Sequence, residues 1–422
     1  MNLQCGFPFR SSDFKEEPVG PRLLLGANVA PGRADWAKSR YWPSTASSNL
    51  DVYHLRPGDV VLAMDRPWIP SGLKLFRVSD DDVPSLLVQR VARLRPQLAQ
   101  QLDSGFLYAA LCHPSFTAYL LAVQTGSTVP HISATQISDF DLPIPPLDEQ
   151  RRIAGVLGAL DDKIELNRKM NRTLEDMAQA IFKSWFIDFD GVPASELVES
   201  EGCRLPRGWR FAVVADIVSE LETGSRPTGG VGSFSDGVPS IGAESIDGLG
   251  VFDFSKTKYV PVDFFRRLRQ GVLKSRDVLI YKDGGKPGDF RPHVGLLGDG
   301  FPFAQCAINS HVYRLRVVEP LTQEFAYFWF ASDPVMAEMR RLGTGVAIPS
   351  LPRRNLLKMR VLVPCGGSLG RFGDLVSPMV GHILSNARES RTLAALRDAL
   401  LPKLISGEIR VPEAEAAVEA VL

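Results

Sequence analysis

Short apolar runs and two long amphipathic stretches set the pattern of this 422-residue chain. VVLAM (60–64), VARLR (91–95), DVLIY (277–281) and VYRLRV (312–317) are rich in β-branched residues and bounded by turn signals, which predicts strands. QEFAYFWFASDPVMAEMRRL (323–342) predicts a helix broken or restarted near Pro334. Residues 147–188 and 369–406 have a longer pattern. In the first, Ile153, Leu157, Leu160, Ile164, Leu174, Ala178 and Ile181 fall at heptad-compatible spacings, so a helix with an apolar seam every 3.5 residues is expected. The stretch DFDGVPASELVESEGCRLPRGW (188–209) is polar and punctuated by glycine and proline, and reads as a linker.

Much of this pattern occurs twice. GDVVLAMD (58–65) matches RDVLIYKD (276–283), and VARLRP (91–96) matches VYRLRV (312–317). TGSTVPHIS (125–133) matches GTGVAIPSL (343–351) with a one-residue shift that sets Pro130 on Pro349, and DLPIPP (141–146), read as a strand, matches RVLVPC (360–365). A near-constant offset of about 219 across four blocks marks an internal repeat. The same offset carries the helix seam onto Phe372, Val376, Met379, Ile383, Leu393, Arg397 and Leu400, so register is kept apart from Arg397. Asn167 lands on Asn386, both at seam positions, and Arg172-Thr173-Leu174 lands on the identical Arg391-Thr392-Leu393. Two long helices packed on each other are expected, because lone exposed helices are marginal. Asparagine in an apolar seam either pins register or sits at the seam's wet edge. About 40 residues of helix span about 60 Å, which suits a spacer.

The expected fold is α+β: two pseudo-repeated strand-rich domains separated by two long antiparallel packed helices. The expected boundaries are a first domain at 1–146, a long helix at 147–190, a linker at 191–204, a second domain at 205–368, a second helix at 369–410 and a flexible tail at 411–422. Thirty-six glycines and 31 prolines imply many exposed loops on these domains.

Composition narrows the function. Lys plus Arg and Asp plus Glu are 48 each, so the net charge is zero, unlike a free-standing nucleic-acid binder. Cys5, Cys112, Cys203, Cys306 and Cys365 form no CxxC pair, and the six histidines do not cluster, so no metal site is expected. No P-loop and no HExxH occurs, and no catalytic residues are expected. FDFSKTKY and DFDLPIPP resemble catalytic tetrapeptides only superficially. No apolar run reaches the ~18 residues that span a bilayer. The start lacks a basic region followed by a hydrophobic one, so a cytoplasmic protein with no membrane partner is expected.

Two loops in equivalent places of the repeat carry candidate contacts. Residues 65–72 offer Arg66 and Trp68, with Lys74 just beyond, and residues 282–293 offer Lys282, Lys286, Arg291 and His293. Cations there would meet phosphates or base edges; the alternative is a solvated turn with ordinary surface charge. The Gly343-Thr344-Gly345 and Gly126-Ser127 turns offer backbone N–H groups to a phosphate, or are tight turns beside a strand, which is the favoured reading.

These residues resemble the specificity subunits of type I restriction-modification systems over nearly the whole chain. GFPFRSSDF (6–14) with LLLGANV (23–29), and ELETGSRPT (220–228) with VPSIGAESI (238–246), are similar to the openings of target recognition domains. LRPGDVVLA (55–63) and LKSRDVLIY (273–281) resemble the next strand motif. The most specific stretch is GSTVPHISATQISDFDLPIPPLDEQRRIAGVLGALDDKIELNRK (126–169), which resembles the junction of recognition domain and spacer helix. LRDALLPKLISGEI (396–409) resembles the end of the second spacer helix.

The resemblance implies that each domain reads half of a bipartite site in double-stranded DNA while the helices set the gap. It implies methyltransferase subunits that use S-adenosylmethionine and a restriction and translocase subunit that uses ATP and Mg2+, with no cofactor on this chain. A scaffold or inhibitor that keeps the fold without reading DNA is the competing class. One departure stands out. The second copy opens LPRGWRFAVVADIVSELETG (205–224), whereas the first begins at about Cys5-Gly6-Phe7, without a counterpart of GWRFAVVADIV. That points to a start placed too far downstream or a truncation, and to a poorly covered first core.

Overall fold

The computed structural model describes residues 1–43, 50–98, 100–126, 128–200, 202–345, 347–365 and 367–421. The chain divides into two compact units, Met1–Lys163 with Leu393–Leu422, and Ile164–Thr392.

In the first unit the apolar runs form an antiparallel sheet in the order Asn2–Cys5, Val91–Arg95, Val60–Ala63, Leu75–Arg77. All four residues of the central strand Val60–Ala63 are fully buried. The period-2 alternation explains why the run is apolar throughout. Val60 and Leu62 face Leu107, Leu111, Phe116 and Leu120. Val61 and Ala63 face a different cluster with Leu24, Leu55, Phe76 and Leu87. Both faces of the sheet are therefore covered, contrary to the poorly covered first core expected from the sequence. Beside it, Arg22–Leu24 runs parallel to Ser85–Leu87.

The second unit repeats this plan. Its sheet is ordered Val218–Thr223, Val312–Val317, Asp277–Tyr281, Val294–Leu297, Gly248–Leu249. Val238–Ile241 runs parallel to Ala307–Ile308. Val278 and Ile280 belong to one core with Phe325 and Phe328, and Leu279 to another with Ile241 and Ile308. A helix pair follows in each copy, Ser104–Cys112 with Pro114–Val123, and Gln323–Ala331 with Asp333–Leu342. Asp103 and Thr322 cap the first member of each pair through Phe106 N–H and Phe325 N–H. Prolines at the start of the second members cause the break.

A buried ion pair is also repeated. Asp59 accepts from Arg95 Nε at 2.5 Å and Nη2 at 2.7 Å, and from Arg56 N–H at 2.8 Å. Asp277, fully buried, accepts from Arg314 Nη1 at 3.0 Å and Lys274 N–H at 2.7 Å, with Arg316 Nε at 2.6 Å. Glu222 lies 2.7 Å from Arg314 Nη2, and Glu220 also accepts from that guanidinium. These arginines come from the matched VARLR and VYRLR strands and are the polar price of sheets buried on both faces.

Each copy then leads into a long helix, Leu147–Lys183 and Ser368–Ser406. The first ends in one π turn, Ser184–Asp188, capped by Phe189 at φ 58°. In the second unit, Asn167 contacts Glu389 and Ser390, Asn171 contacts Asn386 and Ile383, and Phe182 contacts Phe372. In the first unit, Asp161 contacts Arg397. In the second unit rising numbers on one helix meet falling numbers on the other, so there the helices pack antiparallel. Ile153, Leu157, Leu160, Phe372, Val376, Ile383, Leu393 and Leu400 are buried. Ile164, Leu174, Ile181 and Met379 are partly buried. Phe182, Val380 and Leu384 are buried too, because the second-unit parts of the helices share one core with the sheet as well as with each other.

Three local expectations change. DLPIPP (141–146) forms no strand. Its counterpart Arg360–Val363 pairs with Arg210–Val213, but among the described residues nothing pairs with 141–146, where three prolines remove N–H donors. The linker contains a hairpin, Leu197–Ser200 with Cys203–Pro206. The flexible tail is instead a helix, Val411–Glu419, with Val411 and Ala414 buried and Glu413 accepting from Arg410 N–H at 3.1 Å. No single helix among the described residues is long and apolar enough to cross a membrane.

Candidate nucleic-acid interface

The two candidate loops are built alike. In the first unit the chain leaves Val60–Ala63 and is zipped to residues 130–132: Ile132 N–H donates to Met64 O at 2.9 Å, and Arg66 N–H donates to Pro130 O at 2.7 Å. In the second unit Leu351 N–H donates to Lys282 O and Gly284 N–H to Pro349 O, both at 2.8 Å. Each loop then forms a small hairpin, Trp68–Ile69 with Gly72–Leu73, and Gly285–Lys286 with Asp289–Phe290. The strand and its zipper fix the base of each hairpin and leave the tip exposed, an arrangement suited to recognition.

The glycine turns belong to the zippers. Thr125 pairs with His131, and Thr344 with Ser350, through reciprocal backbone bonds of 2.7–2.8 Å. Gly126 has φ +89°, and a Cβ there would lie 2.5 Å from Val129 O; Gly345 has φ +103° and would meet Ile348 O at 2.7 Å. Both are tight turns that only glycine fits. Ser127 lies outside the described residues.

The predicted contact residues differ in their surroundings. Arg66, at φ 46°, and Trp68, 43% exposed, stand at the first hairpin. Lys74 is half-buried and its ammonium donates to Gly26 O; burial pushes its pKa down. Lys282 donates to Ser310 O at 3.2 Å, lies 3.5 Å from Asp283, and stands 5.9 Å above the Tyr313 ring. Lys286 is exposed on the second hairpin, and Arg291 pairs with Asp289 at 2.9 Å. His293 stands edge-on to Tyr281 at 5.5 Å and 3.6 Å from Asp247, whose carboxyl it holds below the usual range. Trp68 with Arg66, and Lys286 with Arg291, therefore gather at hairpins, whereas Lys74 and Lys282 are tied into their own domains.

The structure adds residues that the sequence reading missed. Asp65 and Asp283, equivalent in the repeat, each hold a histidine: His131 Nδ1 at 2.6 Å and His311 Nδ1 at 2.8 Å. Arg90 lies 3.9 Å from Asp65, and Arg226 Nη2 meets His311 Nε2. Alignment of the repeat could not find these pairs, since His131 falls opposite Ser350 and His311 opposite Arg90. Among the described residues no group of three or more His, Cys, Asp or Glu could hold a metal ion.

Comparison with known proteins gives consistent resemblances. Residues 56–176 match the family described as the type I restriction modification DNA specificity domain. The chain is 27% identical over 316 residues to the type I restriction enzyme MjaIX specificity subunit of Methanocaldococcus jannaschii, covering 74% of this chain and 70% of that one. It is 25% identical over 428 residues to the HindI specificity subunit of Haemophilus influenzae, covering 84% and 87%. The crystal structure of the type I restriction-modification S subunit from M. genitalium shares the fold, with a TM-score of 0.53 at 15% identity over 96% of this chain and 93% of that one. Residues 56–176 thus match the type I restriction modification DNA specificity domain, and the chain is similar in sequence to the specificity subunits of type I restriction enzymes and shares the fold of one.

Proposed function

We propose that this chain is the non-catalytic, sequence-reading subunit of a type I restriction-modification complex. Each domain, 1–146 and 205–368, reads one half of a split site in double-stranded DNA, with the exposed hairpins at its contact surface. The two long helices set the gap and dock methyltransferase subunits, which methylate adenine N6 with S-adenosylmethionine. A restriction and translocase subunit supplies ATP- and Mg2+-dependent cleavage. One observation carries this reading: the same sheet, hairpin and helix pair occur twice, each copy leading into a long helix. A repeated reader suits a two-part site, because phosphate contacts hold each domain on the duplex while base edges supply selectivity. Zero net charge fits a subunit that holds DNA as part of a complex.

The test is selection from random duplexes by the chain purified with its methyltransferase subunit. Enrichment of one split sequence is expected. A stable complex that enriches no sequence would leave a scaffold.

A further inference from the structure

The second domain contains a chain of side chains that aims a guanidinium outward. Asp283 ends the central strand's exit, is only 16% exposed and accepts from His311 Nδ1 at 2.8 Å. The other ring nitrogen, Nε2, meets Arg226 Nη2. A guanidinium only donates. The carboxylate at Nδ1 and the guanidinium at Nε2 suit the tautomer that keeps its proton on Nδ1 and leaves Nε2 to accept. The backbone supports the same arrangement. Buried Asn309 accepts His311 N–H on its side chain at 2.8 Å and Gly224 N–H on its carbonyl at 3.1 Å, so one residue anchors both the histidine and the start of the Arg226 loop. Pro227 follows Arg226 and confines that residue to extended backbone. Arg226 itself is exposed.

The first domain also holds its equivalent aspartate with a histidine, although the arginine there lies near the carboxylate rather than on the ring. Asp65 binds His131 at 2.6 Å, with exposed Arg90 beside it. The histidine there comes from a different place in the repeat, so the pairing recurs although the sequence supplying it does not.

We propose that Arg226 is a specificity-determining residue of the second domain, aimed by His311 and Asp283 at the major-groove edge of a guanine in its half-site. The inference rests on the proposed function. A phosphate contact needs only a nearby positive charge. A bidentate contact to guanine O6 and N7 needs an oriented fork, and the contact from Nη2 to His311 restrains the guanidinium from one side. Arg226 is the reading residue; His311 and Asp283 are positioning residues.

The experiment is to express the chain with its methyltransferase subunit and map methylated adenines for the parent, Arg226→Ala, Arg226→Lys and His311→Phe. In the parent, one split motif is expected. In Arg226→Ala and Arg226→Lys, one G·C position of one half-motif becomes degenerate, with discrimination there falling roughly ten- to hundredfold, while the other half and the gap stay fixed. His311→Phe shifts the same position to a lesser degree. An unchanged motif in Arg226→Ala overturns the inference and leaves the proposed function standing. Uniformly weaker methylation in Arg226→Ala, restored in Arg226→Lys, also overturns it, since that is a phosphate contact. A parent complex that methylates nothing removes the proposed function, and the inference with it.

Discussion

Arg314 is 1% exposed and faces three carboxylates, Glu220, Glu222 and Asp277. Removing a buried charge from such a group leaves its partners uncompensated. Arg314→Met is therefore expected to destabilise the protein by about 3–5 kcal/mol in denaturant unfolding, where a surface arginine would cost almost nothing. A loss under about 1 kcal/mol would mean the network contributes little. The same group gives a pH dependence. Hydrogen bonds from Lys274 first, and then Arg314, hold the Glu220 carboxyl down at about 2. A carboxyl depressed on folding stabilises above its unfolded value of ~4.3, and that contribution is lost as pH falls toward its folded value. Asp277 works the other way, since burial raises it. The clean test is thus Glu220→Gln, which should flatten the stability curve between about pH 4.5 and 2. An acid limb identical to the parent's would refute the assignment.

The helices carry their polar groups in matched sets across the seam. Asn386 donates to Asn171 Oδ1 at 2.9 Å, and Asn171 donates to Ile383 O at 3.2 Å. Asn167 is fully buried, donating to Glu389 Oε2 at 2.7 Å while its own Oδ1 has no partner. We propose that these asparagines fix register. Asn386→Leu alone should cost about 1–3 kcal/mol by stranding Asn171, and Asn171→Leu with Asn386→Leu should recover most of it. Strictly additive losses in thermal unfolding would show that the two do not act together. Arg397, the one break in the seam, is met by Asp161 at 2.6 Å and Asp398 at 2.7 Å, so the charge is compensated on both helices. The seam itself was legible because its period survives the repeat. Val380 and Leu384 were not, since a seam calculation counts one partner and these helices have two. The last helix had its own signals, Pro412 at its start and Glu413 at the capping position, overlooked because the stretch is short.

Across the whole molecule, the repeat made the architecture legible. Strands buried on both faces read as continuous apolar runs, and two copies at one offset confirmed them. What it hid were features supplied by only one copy. DLPIPP looked like its partner RVLVPC, but pairing depends on a second strand, present for Arg360–Val363 and not for 141–146 among the described residues. The Asp–His pairs were hidden for a related reason: equivalent aspartates recruit histidines from positions that do not align. Loops were located by glycine and proline, yet which cations stay exposed depended on packing, so Lys74 and Lys282 turn inward where Lys286 does not.

The most direct measurement is a map of methylated adenines in DNA from cells expressing this chain with its methyltransferase subunit. The account predicts one motif in two halves separated by a fixed gap, with an adenine modified in each half. A stable complex that leaves the DNA unmethylated, or that modifies a single uninterrupted motif, would contradict it.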